Sequence, residues 1–252
     1  MTSPVMMPPL TSFAERLTAV VIGTGGGIGG AFATALAAHP RVGSVIAASR
    51  SGQAQNPSSK VTARRVDVTD EASIAAMAEG LDAVDLVIVA VGQLHDDTGL
   101  GPEKTFRAID GGYLARLYAV NTIGPALCAK HLLPRLAKGR KAVFAALSAR
   151  VGSISDNHLG GWHGYRASKA GLNQILRTCA IELARRSADA AIVGLHPGTV
   201  DTGLSKPFQG HVPDGKLFTP DYAAVSLLTV LDGLTPADSG GVFAWDGARV
   251  PT

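Results

Sequence analysis

Cysteine is nearly absent: Cys128 and Cys179 are the only two in 252 residues, and they form no C-x-x-C pair. No metal or redox motif built on thiols is therefore present, and both residues read as inert, buried thiols in helical patterns. Long apolar runs are missing as well. Nothing approaches the 18 or so continuous residues of a membrane-spanning helix. The first 12 residues carry no basic segment ahead of an apolar core, so no export signal is read there. These absences predict a cytoplasmic protein without a membrane span. Charge of one sign is scarce too. The 23 Lys+Arg and 20 Asp+Glu leave a formal charge of +3, and the basic residues are scattered, so charge gives no sign of a nucleic-acid partner. Internal repeats, linkers and a second domain are not seen. Residues 1–12 hold three prolines and three methionines; they read as a loose leader or an overextended start, with the leader taken to residue 16 and one domain over 17–252.

What the chain does have is alternation. Hydrophobic residues make up 46% and charged residues 17%, the balance of a compact enzyme-sized domain. Short apolar runs at 18–23, 44–48, 61–68, 85–91, 142–147, 190–195 and 241–245 read as strands. Helical patterns lie between most of them, notably about 105–137 and 163–186. Thr69 reads as the cap of a helix beginning Asp70-Glu71, and Thr219-Pro220 as a cap followed by proline at the first helical position. The Ser51–Ser59 stretch reads as a loop. Alternation of this kind predicts an α/β fold: a single, doubly wound Rossmann-type domain with a mostly parallel sheet and helices on both faces.

Two motifs carry chemistry. After the first strand comes Gly23-Thr-Gly-Gly-Gly27-Ile28-Gly29-Gly30, then an alanine-rich helix. Strand, glycine turn and helix in that order suit a dinucleotide pyrophosphate, because glycines admit close backbone approach and the helix start offers free N–H groups. Much later comes Tyr165-Arg-Ala-Ser-Lys169. One helical turn separates the phenol from the ammonium, so both leave the same face. A free phenol has a pKa of about 10; a neighbouring cation is expected to lower it and make Tyr165 a general acid–base group.

With Phe144-Ala-Ala-Leu-Ser148-Ala-Arg-Val-Gly-Ser153, Tyr165 to Asn173 and His196-Pro-Gly-Thr-Val-Asp-Thr202, these motifs make the chain resemble a short-chain dehydrogenase/reductase from about Leu17 onward. The closer likeness is to the C-factor-like and sniffer-type carbonyl reductases. The resemblance implies roles. Ser148 would hold the substrate carbonyl oxygen and Tyr165 would protonate it. Lys169 would tune Tyr165 and hold the nicotinamide ribose, and Asn121 would kink a helix and brace the lysine through water. Ser148 stands 17 positions before Tyr165, more than in the standard subgroup; Ile154–Gly161 is expected to loop beside the pocket, and Ser153 is the competing serine. Strand four ends Val89-Ala-Val-Gly92 where relatives carry Asn-Asn-Ala-Gly, which removes bracing amides and keeps Gly92 for the cofactor.

The same resemblance implies a nicotinamide cofactor bound by Gly23, Gly27, Ile28, Gly29, Ser49, Arg50, Asp67, Val68, Gly92, Tyr165, Lys169, Pro197, Gly198, Val200 and Thr202. Ser49-Arg50-Ser51 replaces the acid that favours NAD, so NADP(H) is favoured and NAD(H) is the alternative. Asp67 would accept from the adenine amine. Gly203–Phe218 reads as a mobile substrate lid, and Leu94, Trp162, Leu204 and Phe208 suggest an apolar carbonyl substrate. His95-Asp96-Asp97 reads as solvated loop charge rather than a metal site. A homodimer or homotetramer through the two long helices is expected. A signalling or sensor protein with little turnover, on the C-factor pattern, is the alternative function.

Overall fold

The computed structural model describes residues 6–95 and 101–252. Runs of Val, Ile, Leu and Ala form most of its strands: β1 (Leu17–Ile22), β2 (Val42–Ser49), β3 (Val61–Arg65), β4 (Leu86–Val89), β5 (Ala142–Leu147), β6 (Ala190–His196), β7 (Thr199–Val200), β8 (Leu217–Phe218), β9 (Val242–Ala244) and β10 (Arg249–Val250). Eight of them make one sheet in the order β10-β9-β6-β5-β4-β1-β2-β3. All its pairings are parallel except β9 with β10. The order runs outward from β1 in both directions, so a crevice opens between the carboxyl ends of β1 and β4, where ligands bind in such sheets.

Period-two alternation sends the strands' side chains into two cores. Ala19 and Val21 of β1, Leu86 and Ile88 of β4, and Val143 and Ala145 of β5 face α1 (Gly27–Ala38). Val20, Ile22, Val87, Val89, Phe144 and Ala146 face the other way, toward α2 (Glu71–Ala78). The helices α3 (Gly111–Tyr118), α4 (Gly124–Leu132) and α5 (His163–Ala184) follow, with α4 and α5 packed on that second face. The last helix, α6 (Pro220–Gly233), lies with α1 on the first face. Helices on both faces of one mostly parallel sheet are the expected architecture.

Several boundaries differ from the sequence reading. The expected helix over 105–137 starts at Gly111, because Thr105 caps only a three-residue 3-10 turn and the Asp110 carboxylate caps α3 through the N–H of Tyr113. Between α3 and α4 the winding loosens into a π segment, Ala119–Ile123, and Pro134 sits in a 3-10 turn that follows α4. The cap of α2 is Asp70, which accepts from the N–H of Ala72, while the Thr69 hydroxyl donates to Asp67. Strand three stops at Arg65, and β10 has no counterpart in the sequence reading. Within the stretch read as a loose leader, Leu10 and Phe13 are buried, and the Arg41 guanidinium donates to both their carbonyl oxygens. Thr219 caps α6 with Pro220 at its first position, as expected.

Candidate active site

Helix α5 carries three polar residues one turn apart, Tyr165, Lys169 and Asn173, all buried on its inner face. Its start is fixed from outside: the Glu103 carbonyl accepts from the N–H of Trp162, and the Glu103 carboxylate accepts from the N–H of Gly164 at 3.2 Å. Gly160, Gly161 and Trp162 all have positive φ, the last at 54°. A left-handed tryptophan is strained by about 1–3 kcal/mol, and packing of its indole on Tyr165 and Phe208 holds it there. The expected loop before it, 154–161, is present and free of helix or strand.

Ser148 follows β5 directly, and its hydroxyl donates to Oδ1 of Asn173 at 2.6 Å. The same amide donates to the Gly152 carbonyl. Asn173 thus ties Ser148 to the helix that carries Tyr165, a role the sequence reading leaves unassigned although the residue lies in the quoted motif. Ser153 instead accepts from the N–H of Asp156 and closes a local turn. Lys169 Nζ donates to the Leu147 carbonyl at 2.7 Å and lies 5.9 Å from the centre of the Tyr165 ring. Burial pushes Tyr165 up to about 12 and Lys169 down to about 7. The expected lowering of Tyr165 by Lys169 is thus not what this arrangement gives: burial raises the phenol, and Lys169 Nζ is turned to a backbone carbonyl. The phenol is held protonated at neutral pH.

Asn121 sits in the π segment, fully buried. Its amide accepts from the N–H of Gln93 at 2.8 Å and donates to the Gln93 carbonyl and to Ser168 Oγ. The extra residue of a π turn is what turns that amide inward. A β-carbon added to Gly92 would lie 3.6 Å from Lys169 Nζ and 3.7 Å from Asn121 Oδ1, so Gly92, Asn121 and Lys169 meet at one point.

The glycine turn is built for close approach. Gly23 has φ of 95°, and a β-carbon on Gly29 would fall 2.2 Å from the Gly23 carbonyl oxygen. One on Gly27 would come within 2.9 Å of Thr202, so the segment after β6 faces the start of α1. Such a cradle of bare backbone at a helix start, between the carboxyl ends of β1 and β4, fits a dinucleotide pyrophosphate. At the end of β2, Ser49 Oγ is 3.1 Å from Ser51 Oγ, and Arg50 is exposed. Asp67 accepts from the hydroxyl and N–H of Thr69, which hold its carboxyl below the usual range, with Arg50 and Arg65 adding to the effect. Val68 packs against Gly124, and Ile28, Val200 and Phe218 share one apolar cluster. Gly198 has φ of 76°, with the Phe218 ring 2.7 Å from where its β-carbon would be. Pro197 lies between His196 and this turn.

The segment read as a lid is anchored at both ends by pairing of β7 with β8 and contains a 3-10 turn, Lys206–His211. Phe218 itself is buried in the core beside Tyr222 and Trp245 rather than in the lid. Leu94, Trp162, Leu204 and Phe208 do converge, packing with Tyr113, Leu117, Ala149, Val151 and Tyr165. His95 joins strand four's end to this segment through the Gly203 carbonyl at 3.1 Å. Asp96 and Asp97 lie outside the described residues. Among the described residues no cluster of metal-binding side chains occurs, and no helix is long and apolar enough to cross a membrane.

Known proteins resemble this chain in sequence and in fold. The family model for short chain dehydrogenases matches residues 17–212. The chain is 32% identical to the 1-hydroxy-2-glutathionyl-2-methyl-3-butene dehydrogenase of Rhodococcus sp. (strain AD45), covering 91% of this chain and 97% of that one. It is 36% identical to the C-signal protein of Myxococcus xanthus over 57% of this chain and 81% of the relative. Among solved structures, the NADPH-bound carbonyl reductase from chicken fatty liver superposes with a TM-score of 0.81 at 26% identity over the whole of both chains. The carbonyl reductase Sniffer of D. melanogaster shares the fold, with a TM-score of 0.79 at 19% identity over 94% of this chain and all of that one.

Proposed function

The chain belongs to the short-chain dehydrogenase family and is an oxidoreductase, and from that premise we propose that it reduces an apolar aldehyde, ketone or quinone with NADPH. The observation that carries this reading is the face of α5, where Tyr165, Lys169 and the Asn173–Ser148 pair stand one turn apart beneath an apolar wall. When bound, the reduced nicotinamide supplies a hydride to the carbonyl carbon.

The protein's own residues do the rest. Ser148, positioned by Asn173, turns its one hydroxyl proton from Asn173 Oδ1 to the substrate carbonyl oxygen and fixes its direction. Tyr165, protonated at neutral pH, gives that oxygen its proton as negative charge develops there. Lys169 stabilises the phenolate left behind and holds the nicotinamide ribose, while Asn121 keeps the lysine's surroundings in place. Gly23, Gly27, Ile28, Gly29 and Gly92 admit the cofactor, and Pro197, Gly198, Val200 and Thr202 line its nicotinamide end. Ser49 and Arg50 hold the adenosine end through the 2′-phosphate, and Asp67 with Val68 brackets the adenine.

Support for NADP(H) over NAD(H) comes from the exposed Arg50 where an acid would otherwise repel a phosphate, and from the NADPH carried by the chicken reductase. Screening aldehydes, ketones and quinones against NADPH tests the proposal: steady turnover of at least one apolar carbonyl is expected. NADPH binding without turnover of any would favour a second reading, to which the C-signal likeness points, a cofactor-binding signal protein.

A further inference from the structure

Resting on the NADP(H) reading, we propose that Arg65 is a second guanidinium for the adenosine 2′-phosphate, acting with Arg50 across the turn that ends β2. Three features of the sheet bring it there. Arg65 is the register partner of Ser49, and the N–H of Val66 donates to the Ser49 carbonyl at 2.9 Å. In-register residues of parallel strands present their side chains to the same face. That face is the one covered by α1: Val45 and Ala47 of β2 and Val61 of β3 belong to the α1-side core. Arg65 therefore stands on the side of the sheet from which the glycine turn and α1 rise. A β-carbon on Gly25 would lie 3.8 Å from that of Ser49, so glycine turn, Ser49 and Arg65 follow one another across this face.

The loop is shaped to admit both cations. Residues Ser49–Gly52 close a turn, with the N–H of Gly52 on the Ser49 carbonyl. Gly52 has φ of 68°, and a β-carbon there would meet that of Arg65 at 3.2 Å. Only glycine takes that conformation without strain, and its bare backbone lets the turn rest against the stem of Arg65. Arg50 projects from the exposed part of the same turn. Both side chains are exposed, and neither guanidinium makes a hydrogen bond or close ion pair among the described residues. The contrast with Arg64 is informative, because that residue faces the opposite side and spends its guanidinium on the carbonyls of Met77 and Glu79. Asp67 is the nearby acid, and one of its oxygens is already taken by Thr69. Two planar forks flanking two serine hydroxyls match a dianionic phosphate.

Calorimetric titration of NADPH, NADH, 2′,5′-ADP and 5′-AMP into wild type, Arg50→Ala, Arg65→Ala and Arg65→Glu tests this without reference to turnover. Arg65→Ala is expected to weaken NADPH and 2′,5′-ADP about 10-fold, the effect of one charge-assisted hydrogen bond, and to change NADH and 5′-AMP less than 2-fold. Arg65→Glu is expected to weaken the phosphorylated ligands further. Losses confined to Arg50→Ala, or equal losses for NADPH and NADH in Arg65→Ala, overturn the role of Arg65 and leave the NADP(H) reading standing. Wild type binding NADH more tightly than NADPH overturns both. Circular dichroism of each variant separates misfolding from lost contact.

Discussion

Ser148 and Asn173 show how a single amide sets the geometry of a reacting hydroxyl. Their 2.6 Å hydrogen bond leaves the serine oxygen's orientation to a residue two helical turns beyond Tyr165. Asn173→Ala removes that constraint and keeps the hydroxyl. A neutral hydrogen bond contributes roughly 0.5–1.5 kcal/mol, so kcat with the preferred carbonyl is expected to fall about 2- to 12-fold, less than in Ser148→Ala. An equal fall in both variants would show that Asn173 acts on more than Ser148. His196 gives a second residue-scale prediction. Its Nδ1 is buried without a hydrogen-bond partner among the described residues, and burial, assisted by Arg150, pushes its pKa down to about 4. The unfolded chain takes up that proton first as pH falls, so stability is expected to decline from about pH 6.5 to pH 4 and to be unaffected by this group above that window. The loss is at most about 3 kcal/mol. Urea unfolding at pH 4.5 and 7.5 checks it: His196→Asn should flatten the difference, and an unchanged slope would assign the acid sensitivity elsewhere.

Elements differ in how plainly their residues announce them. The Tyr165 helix and the glycine turn are legible because their signals are local: a four-residue spacing within one helix, and a strand, turn and helix in immediate succession. Strand β5 falls where its apolar run lies, at 142–147. What escapes a sequence reading depends on partners far along the chain. Leu10 and Phe13 are isolated apolar residues near prolines, and their burial depends on Arg41 and the α1-side core. Strand β10 is two residues long and exists through its pairing with β9. Arg65 looks like any surface arginine until the register with Ser49 is known. Asp85, just before β4, is another such case: it is buried, accepts from the N–H of Thr18, and pairs with Arg140 at 2.6 Å. Asp85→Ala strands a donor at the base of β1 and is expected to cost about 1–3 kcal/mol in urea unfolding, the penalty for an unsatisfied buried group. Asp85→Asn, which retains an acceptor, is expected to recover part of it; equal stability of all three proteins would contradict this account of the sheet's lower edge.

At the scale of the whole molecule, the two helical regions that carry the site also bear on the expected assembly. Of the leucines on these helices, Leu117, Leu132, Leu172 and Leu176 are buried within the chain, and Leu114 and Leu127 are half-buried. Among the exposed apolar side chains are Ile123 at 52% and Ile181 at 48%, and a cleft of about 580 Å³ opens at the ends of α4 and α5 beside Leu133 and Leu183. A homodimer or homotetramer formed over this face is expected by light scattering at micromolar concentration, with Ile181→Asp shifting it toward the monomer; a monomeric wild type would count against it. In the proposed reaction Tyr165 delivers the proton to a carbonyl reduced with NADPH. Tyr165→Phe keeps the ring that packs on Trp162 and removes only the hydroxyl, so the decisive measurement is kcat for the best carbonyl alongside the NADPH dissociation constant in wild type and in this variant. The expected fall in kcat is about 100- to 10,000-fold, the range for a lost general acid, with NADPH affinity within a few fold of wild type. Turnover surviving near the wild-type rate, with the cofactor bound, would rule Tyr165 out as the acid.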